Sequence, residues 1–141
     1  MRSSLSRLLV LLSLACEPAL PAARATLGQL EISQAFAREP VIQESGAAYF
    51  RVHNRGSEAD TLLRATSPEA SGAMIHGAAM GHLLTLPIPP GGDVVLEPGK
   101  THLMLENLTF MPKPGDSLTL VLEFARAGRL TLRIPVRALT Q

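Results

Sequence analysis

SLTLVLEFARAGRLTLRIPV, residues 117–136, is the stretch on which the fold reading turns. Leu118, Leu120, Leu122 and Phe124 fall two apart, and so do Leu130, Leu132, Ile134 and Val136. That is the period at which a strand sends alternate side chains to one face. A helix would return its apolar residues every three or four positions, which neither run does. Ala127-Gly128 lies between the two runs and reads as the turn of a hairpin. The segment predicts two antiparallel strands with a shared apolar face.

Working outward, similar short runs recur at Leu30 to Phe36, Ala47 to Asn54, Ala59 to Ala65, Ala73 to His76, Met80 to Leu86, Asp93 to Leu96 and His102 to Leu105. Turn-forming groups separate them: Glu44-Ser45-Gly46, Asn54-Arg55-Gly56, Pro89-Pro90-Gly91-Gly92, Pro98-Gly99-Lys100 and Lys113-Pro114-Gly115-Asp116. With 11 Gly and 11 Pro in 141 residues, punctuation is too frequent for long helices. The expectation is an all-β domain, a two-sheet Greek-key β-sandwich of eight or nine short strands. A formal net charge of +1 and the lack of any Lys/Arg run exclude a nucleic-acid partner, because a phosphate backbone is held by a basic face.

Residues 1–25 read as an export signal peptide. Arg2 and Arg7 give a positive start, Leu8 to Ala15 an apolar stretch, and Ala23-Arg24-Ala25 a small-x-small cleavage site. The apolar stretch is shorter than the roughly 20 residues that span a bilayer, so a membrane span is not expected. The domain proper is then 26–141. Cys16, the single cysteine, falls inside the leader. It offers an alternative lipid-attachment point, although Ser13 and Leu14 fit that pattern poorly. Cleavage near Ala25 leaves a domain without thiols, which excludes disulfides, thiolate zinc sites and cysteine nucleophiles together.

All four His residues follow the leader, and His76, His82 and His102 share a short window with Met74, Met80 and Met104. Imidazole and thioether without thiolate or clustered carboxylate is a soft donor set that suits copper, Cu(I) above all. It suits magnesium, calcium and structural zinc poorly. The plain alternative is that each Met fills core and each His is solvated. Spacing weighs against it. His102 and Met104 are two apart in a strand and share the face opposite Leu103 and Leu105. His76-Gly77-Ala78-Ala79-Met80 reads as strand, three-residue turn, strand, so that His76 and Met80 become cross-strand neighbours; as a helical turn, its i, i+4 spacing would still put both on one side. In that register Met74 would pair with His82, giving an auxiliary pair able to hold a second copper ion or help copper reach the first. His53, in a different strand, and Met111, between Phe110 and Pro112, read as structural.

These residues resemble the PCu(A)C copper chaperones, whose signature is His, ten residues, Met, 21 residues, His-x-Met. Here 21 residues separate Met80 from His102-Leu103-Met104. The resemblance also takes in Ala35-Phe36-Ala37-Arg38, Gly46-Ala47-Ala48-Tyr49-Phe50 with Asn54, Pro89-Pro90-Gly91-Gly92, Leu96-Glu97-Pro98-Gly99, Leu105 and Gly115-Asp116. Only three residues separate His76 from Met80, as though the connecting hairpin had been cut back to its turn. The resemblance implies a cupredoxin-like sandwich whose His76, Met80, His102 and Met104 bind Cu(I) near the surface. It also implies a periplasmic copper chaperone that delivers copper to a partner such as the CuA centre of cytochrome c oxidase or another chaperone. A non-metal periplasmic assembly or interaction module is the competing expectation. No enzyme is expected: there is no Gly-x-Ser-x-Gly elbow, the acidic residues are scattered, and thioethers favour holding reduced copper over activating oxygen.

Overall fold

The computed structural model describes residues 22–79 and 81–140. The leader up to Pro21, including Cys16, and the expected ligand Met80 lie outside the described residues. Among the described residues eleven strands follow one another without a helix: β1 (Ala23–Leu27), β2 (Leu30–Ile42), β3 (Ser45–Asn54), β4 (Asp60–Thr66), β5 (Ala70–His76), β6 (His82–Leu83), β7 (Leu86–Ile88), β8 (Asp93–Leu96), β9 (His102–Leu108), β10 (Ser117–Phe124) and β11 (Gly128–Arg137). The all-β sandwich is as expected.

The expected hairpin is β10–β11, with Leu118 opposite Ile134, Leu120 opposite Leu132 and Leu122 opposite Leu130. Gly128 opens β11 with φ +98°, a conformation costly to a residue with a Cβ. Strand order runs β6-β5-β9-β3-β2-β11-β10-β4-β7, with β1 on β2 and β8 on β3. Most neighbours are non-consecutive, the crossovers expected of Greek-key connections. The two sheets join where β11 runs parallel to β2, at Val136 against Ala37 and Arg137 against Arg38. This makes a barrel-like wall around one core. Ile32, Phe50, Val52, Leu103 and Leu105 fill the core from one side; Leu62, Leu118, Leu120, Leu122 and Ile134 fill it from the other.

Two left-handed residues reset the alternation. In β2 the buried positions are Leu30 and Ile32, then Ala35 and Ala37, with Pro40 buried at a second irregularity. The switch from even to odd falls at a bulge where Gln34 has φ +53°. In β9, Leu103 and Leu105 are buried and then Leu108, the switch falling at Asn107 with φ +46°. One extra residue in a strand turns every later side chain over. The β2 bulge thereby sends Phe36 outward beside Tyr49, with ring centroids 5.1 Å apart.

The structure has two strands more than the upper expectation of nine. Residues 23–25, read as the cleavage site, join Thr26 and Leu27 in pairing with β2, Ala25 opposite Ile32 and Leu27 opposite Leu30. The expected strand Met80 to Leu86 is two: β6 pairs with β5, whereas β7 pairs with β4 in the other sheet. Leu84, 90% exposed, sits in the crossover between the sheets.

Candidate metal centre

The site is built on β6, β5 and β9, three neighbouring strands at one edge of the wall. Ile75 and Leu103 are buried and face each other in register, so they anchor the sheet to the core. The residues on either side of them must face outward. His76 lies opposite His102, and Met74 opposite Met104. On its other side His76 lies opposite His82. The outer face therefore carries a row of three imidazoles, His82, His76 and His102, above a row of two thioethers, Met74 and Met104. The His76 and His82 rings stack at 4.7 Å between centroids, and the His76 and His102 rings are 5.4 Å apart.

This register corrects the expected one. A three-residue turn would have set His76 against Met80 and Met74 against His82. The chain instead closes with the Gly77 amide donating to the Gly81 carbonyl at 2.8 Å, leaving His76 against His82. The auxiliary Met74/His82 pair is thus divided: His82 joins the imidazole row and Met74 joins Met104. Faces are unaffected, because the change moves the pairing by an even number of residues.

Two features leave ligand nitrogens available. His102 Nδ1 is 2.8 Å from the Lys100 carbonyl oxygen. A carbonyl can only accept, so Nδ1 carries the proton and Nε2 of the neutral ring keeps its lone pair. His76 Nε2 is shut off from solvent and has no hydrogen-bond partner among the described residues. Burial, followed by the neighbouring His82 and His102, holds the His76 imidazole below its ordinary pKa against a smaller opposing effect of Glu106. His76 therefore stays in the neutral, ligating form to lower pH than a free imidazole. An orphaned buried nitrogen costs stability unless something else coordinates it.

Tyr49 of β3 stands beside His102, with ring centroids 6.5 Å apart. Burial raises its phenol pKa, partly offset by Arg38, so it is a neutral wall and not an anionic ligand. A groove of about 340 Å³ adjoins the site, with Tyr49, His102, Met104, Val41, Ile42 and Leu139 in its lining. Sequence reading did not single out Tyr49 as a neighbour of the site, because only the pairing of β3 with β9 brings it there.

A larger cavity of about 630 Å³ lies elsewhere, around Asn54, Glu58, Asp60 and Arg126. Asn54, Glu58, Asp60 and Arg126 are engaged with the fold. Asp60 accepts from the Thr61, Arg126 and Ala127 amides, Asn54 donates to the Glu58 carbonyl and accepts from the Gly56 amide, and Arg126 pairs with Glu58. His53 is likewise engaged, its Nδ1 2.8 Å from Asp93, which also binds Arg51 at 2.7 Å. Met111 lies in a loop, partly exposed. Neither His53 nor Met111 belongs to the imidazole and thioether grid. No helix among the described residues is long and apolar enough to cross a membrane.

Comparisons with known proteins identify the family and the fold. The profile of the LpqE-like lipoprotein family matches residues 30–136. Among solved structures, the copper-bound PCuAC domain from PmoF2 is 25% identical and superposes with a TM-score of 0.76, over 82% of this chain and 98% of that one. The apo PCuAC domain from PmoF1 is 23% identical, with a TM-score of 0.74, over 82% of this chain and 99% of that one. The solution structure of CuI-DR1885 from Deinococcus radiodurans is 24% identical, with a TM-score of 0.65, over 87% and 83%. No curated protein matches the chain.

Proposed function

Because the chain belongs to the LpqE-like family and shares the fold of PCuAC domains, we propose that it is an exported copper chaperone. Its cargo is Cu(I), bound by His76, Met80, His102 and Met104 and passed to a copper-accepting protein such as the CuA centre of cytochrome c oxidase or another chaperone. The observation that carries this reading is the grid on β5 and β9: His76 beside His102, Met74 beside Met104, with an orphaned nitrogen on one histidine and a free Nε2 on the other.

The chemistry follows from the donors. Imidazole nitrogen and thioether sulfur stabilise the soft monovalent ion, and neither must lose a proton at neutral pH to do so. His102 is held by Lys100 and cannot turn away easily, which makes it the fixed ligand. The thioethers sit on flexible stems and can yield one at a time to ligands of a recipient. No bond is made or broken in the cargo beyond coordination, so the role is carriage and not catalysis.

Anaerobic Cu(I) titration against a chromophoric chelator tests the reading. One ion bound tightly by the native protein, and lost in His102→Ala/Met104→Ala, is the expected result. Equal, weak uptake by both proteins would overturn it in favour of a metal-free interaction module. Export has a separate test in the intact mass of protein recovered from a cell envelope. A chain beginning at Thr26 supports release after Ala25 and leaves only Thr26 and Leu27 of β1. A lipid-modified chain beginning at Cys16 supports anchorage and keeps β1 whole.

A further inference from the structure

The four proposed Cu(I) ligands do not use His82, yet His82 lies in register with His76 and stacks on it. The row His82, His76, His102 crosses three adjacent strands, so its outer Cα atoms stand roughly 10 Å apart. That separation lets the outer imidazoles lean toward an ion above the central one. His82 now lies flat against His76 at an interplanar angle of 24° and does not aim a nitrogen at a common point. It is exposed and sits on a two-residue edge strand, so little packing resists a turn of its ring. The central His76 Nε2, solvent-shielded and without a hydrogen-bond partner, is the pivot.

We propose that this row gives the site a second binding mode, in which it holds Cu(II) through three imidazoles with His82 as the ligand peculiar to that mode. The inference rests on the copper reading above and deepens it. Thioethers are poor partners for Cu(II), which favours nitrogen and oxygen donors in tetragonal geometry. Three imidazoles with a water in the fourth position supply such a set. Zinc also accepts three histidines and a water, but at equal ligands Cu(II) binds more tightly than Zn(II). His76 and His102 serve both modes, while the thioether row serves Cu(I) and His82 serves Cu(II). One site would thus accept copper in either oxidation state by changing partners around two shared nitrogens.

The test titrates untagged protein with Cu(II) sulfate in a weakly coordinating buffer and reads electron paramagnetic resonance, in native protein, His82→Ala and His53→Ala. A parallel anaerobic Cu(I) titration runs on the same three proteins. Expected are one axial Cu(II) signal with nitrogen hyperfine structure and a loss of at least about tenfold in Cu(II) affinity in His82→Ala. Cu(I) affinity in that variant should stay within about threefold of native, and His53→Ala should match native in both titrations. An unchanged Cu(II) affinity and spectrum in His82→Ala would overturn the proposal, as would a native protein that takes up no Cu(II). Loss of both oxidation states in His82→Ala would also overturn it, because His82 would then be a general ligand. Cu(II) bound through His82 by a protein that fails to retain Cu(I) would uphold the three-imidazole Cu(II) site but refute the Cu(I) carrier and, with it, the exchange between two modes.

Discussion

Two polar regions of the same small sandwich are built on opposite principles. Around Asp60, each carboxylate oxygen is spent on backbone: one accepts from Thr61 and Arg126, the other from Ala127. Around His76, the central imidazole is buried at its Nε2 and nothing among the described residues bonds to it. The first arrangement spends its acceptors on holding loops in place and keeps little capacity for a ligand. The second forgoes internal satisfaction and keeps that capacity. The larger cavity is the structural one, and the proposed metal face is flatter, so the proposal follows donor availability and not size.

The comparison predicts that substitutions will divide cleanly between metal affinity and stability. The largest effect is expected from His102→Ala, which removes the proposed nitrogen ligand held by the Lys100 carbonyl. Cu(I) affinity should fall by about 1,000-fold, equivalent to about 4 kcal/mol, with the apo thermal midpoint nearly unchanged. A chelator competition and a melting curve on the same sample check both halves. A destabilised but copper-competent variant would break the distinction.

Asp60→Ala should do the reverse. It leaves three amides without their acceptor and should cost about 3 kcal/mol, a drop of roughly 10 °C in melting temperature. Cu(I) stoichiometry of the folded protein should stay at the native value. A smaller effect is expected from Met74→Ala, which takes one thioether from the grid but none of the four proposed ligands. Its Cu(I) affinity should fall by no more than about tenfold, about 1.4 kcal/mol. A loss as large as that of His102→Ala would make Met74 a primary ligand and displace Met80 from the set.

The smallest effect concerns Glu69, another carboxylate spent on the fold. Partial burial raises its pKa, but bonds from the Thr119 amide and from the Ser67 and Thr119 hydroxyls outweigh this and leave it below 4.5. A carboxylate with a depressed folded pKa contributes stability that is fully present above the unfolded value. That contribution is lost as pH falls through the folded value. Acid unfolding below about pH 4.5 should therefore have a shallower pH dependence in Glu69→Gln, measured by denaturant midpoints across the acid range.

The fold was legible because its core strands alternate so plainly: Leu118, Leu120, Leu122 and Phe124 are all buried, as are Leu132, Ile134 and Val136. β1 was not, because Ala23 to Leu27 has small residues that serve a peptidase site and an edge strand equally well. Of the site, the shared face of His102 and Met104 followed from spacing alone. The neighbour of His76 did not follow, since a hairpin's register depends on where its turn closes. Gly77 and Gly81, which bracket the loop and bond across it, were the signal for the longer turn. No one-dimensional pattern brings Tyr49 to His102; β3 reaches that edge only through its pairing with β9.

The most direct test of the central claim is X-ray absorption at the copper edge on the one-to-one Cu(I) protein. A mixed first shell of nitrogen and sulfur is predicted, with the sulfur contribution reduced in Met104→Leu. A shell of nitrogen and oxygen alone, or a sulfur contribution unchanged by Met104→Leu, would contradict it.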